Sequence, residues 1–151
     1  MKVLIVDDHV LIRKGIRLLL EEFPDVEVVA EASDGSEAIM LAIKHEPDII
    51  LMDLSMPDGL DGFTASKTLL SEVKNSKIIL LTMHDEEIYV RKALQHQIHG
   101  YLLKNSQANE LYEAMQAVLR GKLFYRTKIP ESQLQRLSKE EEPKSVLTKR
   151  E

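Results

Sequence analysis

Cysteine and tryptophan are both missing, and only 6 glycines and 5 prolines punctuate the 151 residues. Without thiols there is no disulfide framework and no thiolate metal site, which fits a reducing cytoplasm. Any bound metal must rely on oxygen or imidazole. No apolar run reaches the ~20 residues that a membrane-crossing helix requires, and Met1-Lys2 leads straight into an apolar stretch rather than a signal peptide. A cytoplasmic protein without membrane contact is expected. Excess positive charge is lacking too: residues 1–121 carry 12 Lys/Arg against 20 Asp/Glu, a net −8, while residues 122–151 carry 8 against 5, a net +3. An acidic body repels a phosphate backbone, so residues 1–121 are not expected to bind DNA directly.

What is present is a run of short, continuously apolar segments. Lys2 to Val6, Val26 to Ala32, Asp48 to Asp53, Lys77 to Leu81 and Gly100 to Leu103 are too short for helices and read as strands of a parallel sheet, the central ones buried on both faces. Helical spacing separates them. Ile12, Ile16, Leu19, Leu20 and Phe23 mark a first helix stopped by Pro24, with Leu11 and Leu18 beside the stripe as either extra core or a contact surface for a second subunit. Asp34 with Glu37 forms a capping box before Ile39, Ala42 and Ile43, and Asp61 caps a helix carrying Leu69, Leu70 and Val73. A helix from about Asp85 has a thin apolar face of Ile88, Ala93 and Leu94; Ser106 caps the last, with Leu111, Met115, Val118 and Leu119, closed by Gly121. Five strands alternating with five helices predict a three-layer α/β domain, since each right-handed crossover returns the chain to one edge.

Polar residues stand at the ends of these strands: Asp7 and Asp8, Asp53, Thr82, and Lys104. In a parallel sheet the C-terminal ends share one edge, so residues scattered over about a hundred positions converge on a single crevice. Clustered carboxylates repel one another unless a cation is present. Mg²⁺ suits the set, because it favours carboxylate and carbonyl oxygens and keeps several waters. An oxygen of Asp53 then remains to attack phosphorus, with the Lys104 ammonium and the Thr82 hydroxyl as partners of the transferred group. The five histidines (9, 45, 84, 96 and 99) are spread over different elements and are expected in solvated or capping roles rather than in a metal site.

The Asp7-Asp8 pair, Asp53 followed by Met56-Pro57, Thr82 and Lys104 resemble the receiver domain of two-component response regulators, over residues 2 to about 121. The resemblance implies a flavodoxin-like (CheY-like) sheet of order 2-1-3-4-5. It implies Mg²⁺ held by Asp8, Asp53 and the Ser55 carbonyl with Asp7 assisting through water, and phosphorylation of Asp53 by a sensor histidine kinase. It also implies a switch in which Thr82 swings toward the phosphoryl group and Tyr101 rotates into the vacated space; the simpler reading of Tyr101 is an amphipathic edge residue. Such a protein is a phosphoacceptor, not an enzyme acting on other substrates.

Asp7-Asp8-His9, Gly100-Tyr101-Leu102-Leu103-Lys104 and the cap-like Leu147-Thr148-Lys149-Arg150-Glu151 resemble the NarL/FixJ subfamily. Its members carry a LuxR-type helix-turn-helix that begins with such a Leu-Thr-x-Arg-Glu. The implied organisation is a receiver at 1–121, a linker at 122–146 with a short helix near Pro130 to Leu137 after an irregular Leu123 to Ile129, and the start of a DNA-reading domain at 147–151. Phosphorylation would then favour a homodimer and transcriptional regulation. Three features depart from the family pattern: a loop from Met56 to Gly62 one residue longer than usual, Asn105 in place of proline with no cis bond assumed, and Met83 in place of a small residue. Two other readings stay open. One is a single-domain receiver acting by protein contact; the other is an aspartate-nucleophile phosphohydrolase, which would need an acid where Ser55 stands.

Overall fold

A computed structural model of the chain describes residues 1–54, 56, 61–83 and 86–127, with 133 and 136 beyond them. Eleven elements alternate: β1 Lys2–Val6, α1 Val10–Leu20, β2 Glu27–Ala32, α2 Gly35–His45, β3 Ile49–Asp53, α3 Gly62–Glu72, β4 Lys77–Thr82, α4 Glu87–Gln95, β5 Gly100–Leu103, α5 Ala108–Leu119 and β6 Phe124–Arg126. All strand pairs are parallel, and the order is β2-β1-β3-β4-β5-β6. Five of the six strands follow the expected flavodoxin-like order. No described helix is long and apolar enough to cross a membrane.

Period-two alternation splits the strands' apolar residues between two cores. Leu4, Val6, Ile50, Met52, Ile78, Leu80 and Tyr101 point to one side, where Ala38, Ala42, Phe63, Leu69, Val90, Ala93 and Leu94 of α2, α3 and α4 cover them. Val3, Ile5, Ile49, Leu51, Ile79, Leu81 and Leu102 point to the other, toward Leu20 of α1 and Leu111, Met115 and Val118 of α5. Both faces of β3 are therefore dry, and all five of its residues are buried. The outer strand β2 needs covering on fewer sides and accommodates Glu27 and Glu31.

Several helix faces are narrower than expected. Leu11 and Leu18 are 86% and 66% exposed, so they belong to an outer surface and not to the core. Leu11 sits nine residues from the buried Leu20, roughly two and a half turns, which places it on the opposite side of the helix. Leu19, Ile43, Ile88 and Leu119 are likewise outside the core, while Val90 takes the inward place expected of Ile88. Asp34 and Asp61 cap as predicted, accepting from the backbone N–H of Glu37 and Thr64 at 2.8 Å each. Ser106 does not cap; Gln107 is the N-cap of α5, without a side-chain bond. Among the described residues no peptide is cis, so the Lys104-Asn105 bond is trans.

The sixth strand lies where residues 123–129 are expected to be irregular. Gly121, at φ +84°, reverses the chain after α5. Phe124 N–H then donates to His99 O at 3.0 Å, and the Tyr125 hydroxyl donates to Ile98 O at 2.6 Å. The Tyr125 ring stacks on that of Tyr101, centroids 5.9 Å apart. Tyr101 is consequently fully buried, not an amphipathic edge residue. The expected short helix at Pro130 to Leu137 and the segment from Leu147 lie outside the described residues.

Candidate functional site

Because the strands are parallel and neighbouring, Asp7, Asp53, Thr82 and Lys104 emerge at one edge of the sheet. The register fixes this: Val6 pairs with Met52, Asp53 with Leu81, and Thr82 with Leu103. Lys104 N–H donates to Thr82 O at 2.8 Å, which sets the start of the lysine side chain. From there its Nζ lies 2.7 Å from Asp7 Oδ2 and 3.0 Å from Asp53 Oδ1. Asp7, Asp53 and Thr82 are all buried. An ammonium between two buried carboxylates is a charge-assisted clamp, and it offsets part of the repulsion that the acids would otherwise feel.

The titration behaviour follows from this crowding. Burial pushes the Asp7 carboxyl up, but hydrogen bonds from Lys104 and from the His9 backbone and ring outweigh it, so Asp7 lies below its ordinary value. Burial pushes Lys104 down, and its bonds to Asp7 and Asp53 more than reverse that, leaving it raised. Both groups are held in their charged forms at neutral pH. The arrangement is thus an ion cluster, not a proton-sharing pair.

Asp7, Asp8, His9 and Asp53 offer ligand atoms that all lie within 4.8 Å of one another. Asp8 Oδ1 is buried and makes no hydrogen bond; its near neighbour is His9 Nδ1 at 3.0 Å. A desolvated carboxylate oxygen in this position, beside two more carboxylates, fits a hard divalent cation with oxygen preference. Ser55, the expected carbonyl ligand, lies outside the described residues, as do Pro57 to Leu60, His84 and Asp85. Met56 is buried in the core beside α3.

Sequence reasoning missed three participants. His9 is the exposed N-cap residue of α1, in line with its expected solvated or capping role, but it also donates from its backbone N–H and its ring Nδ1 to Asp7 Oδ1 at 2.8 and 2.9 Å. Arg13 donates to the Asp7 carbonyl at 2.5 Å and to Glu31 Oε1 at 3.1 Å. Gly62 N–H donates to Leu54 O at 3.1 Å, and a Cβ there would stand 2.3 Å from the Asp53 carbonyl oxygen. No pattern in the sequence pointed to Gly62.

Comparison with known proteins reports the same architecture. Residues 3–116 match the family model of the response regulator receiver domain. The chain is 36% identical over its whole length to the oxygen regulatory protein NreC of Staphylococcus epidermidis, spanning 73% of that protein. It is 41% identical over 99% of its length to the transcriptional regulatory protein LiaR of Bacillus subtilis, spanning 72% of it. Among solved structures, a LuxR-family two-component response regulator from Aurantimonas superposes with a TM-score of 0.78 at 33% identity, over 93% of this chain and 96% of that one. The isolated receiver of RcsB from Salmonella enterica, with the phosphomimetic BeF3⁻, does so at 0.76 and 34% identity, over 91% and 97%.

Proposed function

Since the chain belongs to the response regulator receiver family, we propose that it is a phosphorylation-dependent switch whose phosphoacceptor is Asp53. The observation that carries this reading is the Lys104 ammonium, which lies 3.0 Å from Asp53 and 2.7 Å from Asp7, the latter 97 residues away in the chain. An Asp53 oxygen attacks the phosphorus of a phosphohistidine on a sensor histidine kinase; the new O–P bond forms as the P–N bond breaks, and the imidazole nitrogen keeps the electron pair. Lys104 follows the charge from Asp53 to an equatorial phosphoryl oxygen, and the Thr82 hydroxyl donates to another. Asp8 and Asp53, with Asp7 through water and the Ser55 carbonyl, would hold Mg²⁺, which when bound neutralises the crowded carboxylates and the incoming phosphoryl. The likeness to an isolated receiver whose structure was determined in the presence of the phosphomimetic BeF3⁻ supports this reading.

The new group adds roughly −1.5 to −2 of charge. Thr82 moves to meet it, and Tyr101, on the neighbouring strand, responds to that movement. Through the Tyr101–Tyr125 ring stack the change reaches β6, the first segment beyond the matched receiver. Residues 122–146 then act as the linker through which a homodimer, favoured by phosphorylation, positions a LuxR-type DNA-binding domain in the cytoplasm.

Intact-mass measurement after incubation with a small phosphodonor and MgCl2 tests the proposal. A single phosphoryl adduct is expected on wild type and none on Asp53→Asn. An adduct that survives in the variant would place the phosphoacceptor elsewhere.

A further inference from the structure

The Asp7–Asp8 turn is held by something other than the site's own charges. The Asp7 carbonyl accepts from an Arg13 terminal nitrogen at 2.5 Å. Arg13 Nε in turn donates to Glu31 Oε1 at 3.1 Å, and Glu31 Oε2 accepts from Arg17 at 2.7 Å. The Arg13 and Glu31 side chains are 14% and 16% exposed, so this chain of contacts lies within the packed layer between α1 and β2. Glu31 stands on β2 opposite Ile5 of β1, and the next pair in the register is Val6 with Ala32, whose carbonyl accepts from Asp7 N–H at 3.0 Å.

The consequence is geometric. A peptide is planar, so fixing the Asp7 carbonyl fixes ψ of Asp7 and φ of Asp8 together. That decides where the Asp8 carboxylate points. Asp7's own side chain is held by Lys104 and His9, whereas the Asp8 Oδ1 makes no hydrogen bond among the described residues and has the His9 ring 3.0 Å away. Asp8 is therefore aimed through its backbone. Guanidinium suits this role because it is always charged and its planar fork serves a carbonyl and a carboxylate at once. Glu31 keeps that fork in one orientation. Burial pushes the Glu31 carboxyl up, and bonds from Arg17 and Arg13 bring it below its ordinary value, so the anchor is ionised at neutral pH.

We infer that Arg13 is a positioning residue, set by Glu31, that orients the Asp7–Asp8 peptide and thereby tunes the affinity of the acidic cluster for a divalent cation. The inference rests on the phosphoacceptor reading and deepens it. Outer-shell partners of metal ligands typically contribute 10–100-fold to metal affinity.

The test is a MgCl2 titration of the full, unphosphorylated chain at constant ionic strength, followed by the backbone amide NMR signals of Asp8 and Asp53. Arg13→Ala should weaken Mg²⁺ about ten-fold, the low end for an outer-shell partner. Glu31→Ala should weaken it less, and the double variant no more than Arg13→Ala alone, because Glu31 acts through Arg13. Arg17→Ala removes a partner of Glu31 without touching the turn and should leave Mg²⁺ affinity close to wild type. If Arg13→Ala does not fold, Arg13→Lys keeps the charge but loses the fork and should still bind Mg²⁺ more weakly. Unchanged affinity in the folded Arg13 variant, or equal and additive losses from Glu31→Ala in both backgrounds, overturns the positioning role alone. Wild type that binds no Mg²⁺ at any concentration removes it together with the cation part of the phosphoacceptor reading.

Discussion

The two ends of this parallel sheet solve opposite problems. At the N-terminal ends of the strands, polar groups are satisfied one by one: Lys2 N–H donates to Asp48 Oδ2 at 2.7 Å, the Ser76 hydroxyl to Pro47 O at 2.5 Å, and Ile78 N–H to His99 Nδ1 at 2.9 Å. At the C-terminal ends the Asp7 and Asp53 carboxylates flank the Lys104 ammonium, and Asp8 joins them in one acidic cluster. At the first end these described polar groups satisfy one another within the protein. The second keeps an electrostatic imbalance that only a further cation or a neutralising change can relieve. Stability is gathered at one end and partly given up at the other, as expected where a site must remain ready to react.

Substitutions at the two ends should separate these roles. The largest effect is expected from Gly62→Ala, since its Cβ would sit 2.3 Å from the Asp53 carbonyl and 2.8 Å from Leu54 Cα, backbone atoms that no rotamer change can move aside. We expect a loss of about 3 kcal/mol in urea unfolding together with slower adduct formation at Asp53. Preserved stability would mean that the strand end yields more easily than its packing indicates.

A paired comparison is next. Ser76→Ala, at the N-terminal end, leaves the Pro47 carbonyl without its donor and should cost about 2 kcal/mol. Asp53→Asn, at the charged end, removes like-charge repulsion while Lys104 keeps Asp7, and should raise stability by about 1 kcal/mol, or about 2–4 °C in melting temperature, when measured in EDTA. If both variants lose stability, the contrast between the two ends fails.

The smallest effect concerns pH. Burial, with Lys77 nearby, lowers the His99 pKa below the usual 6.5, and its Nδ1 must stay unprotonated to accept from Ile78. The unfolded chain therefore binds the proton first. His99's contribution is complete above about pH 6.5 and falls as pH drops through that value toward the folded pKa. His9 has the opposite sign: its pKa is raised, first by the Asp7 hydrogen bond, so its contribution is present below the ordinary value and fades as pH rises through the folded one. Unfolding titrations should lose the acid-side slope in His99→Gln, and a slope that stays unchanged would assign it to other groups.

Much of the fold was legible because continuous apolar runs such as Ile49 to Met52 have few alternatives to a doubly covered parallel strand. The convergence of Asp7, Asp53, Thr82 and Lys104 followed from topology alone. Phe124 to Arg126 was not legible, since three residues carry no period; that strand is held where the Ile98 and His99 carbonyls accept from the Tyr125 hydroxyl and the Phe124 N–H. Helical spacing gave the direction of each apolar face but not its width, which depends on neighbours, so Leu19, Ile43 and Ile88 were misplaced. Arg13 could not be singled out, because its pairing with Glu31 across 18 positions depends on how α1 lies over β2.

The last strand has one more effect. An open sheet margin invites a neighbouring molecule to extend it, and three residues ending at Arg126, a side chain drawn back toward Glu110 and Glu113, make a poor template for such growth. The short strand shields the Tyr101 side of the domain from edge-to-edge aggregation, so shortening the chain before Phe124 should leave a stickier molecule.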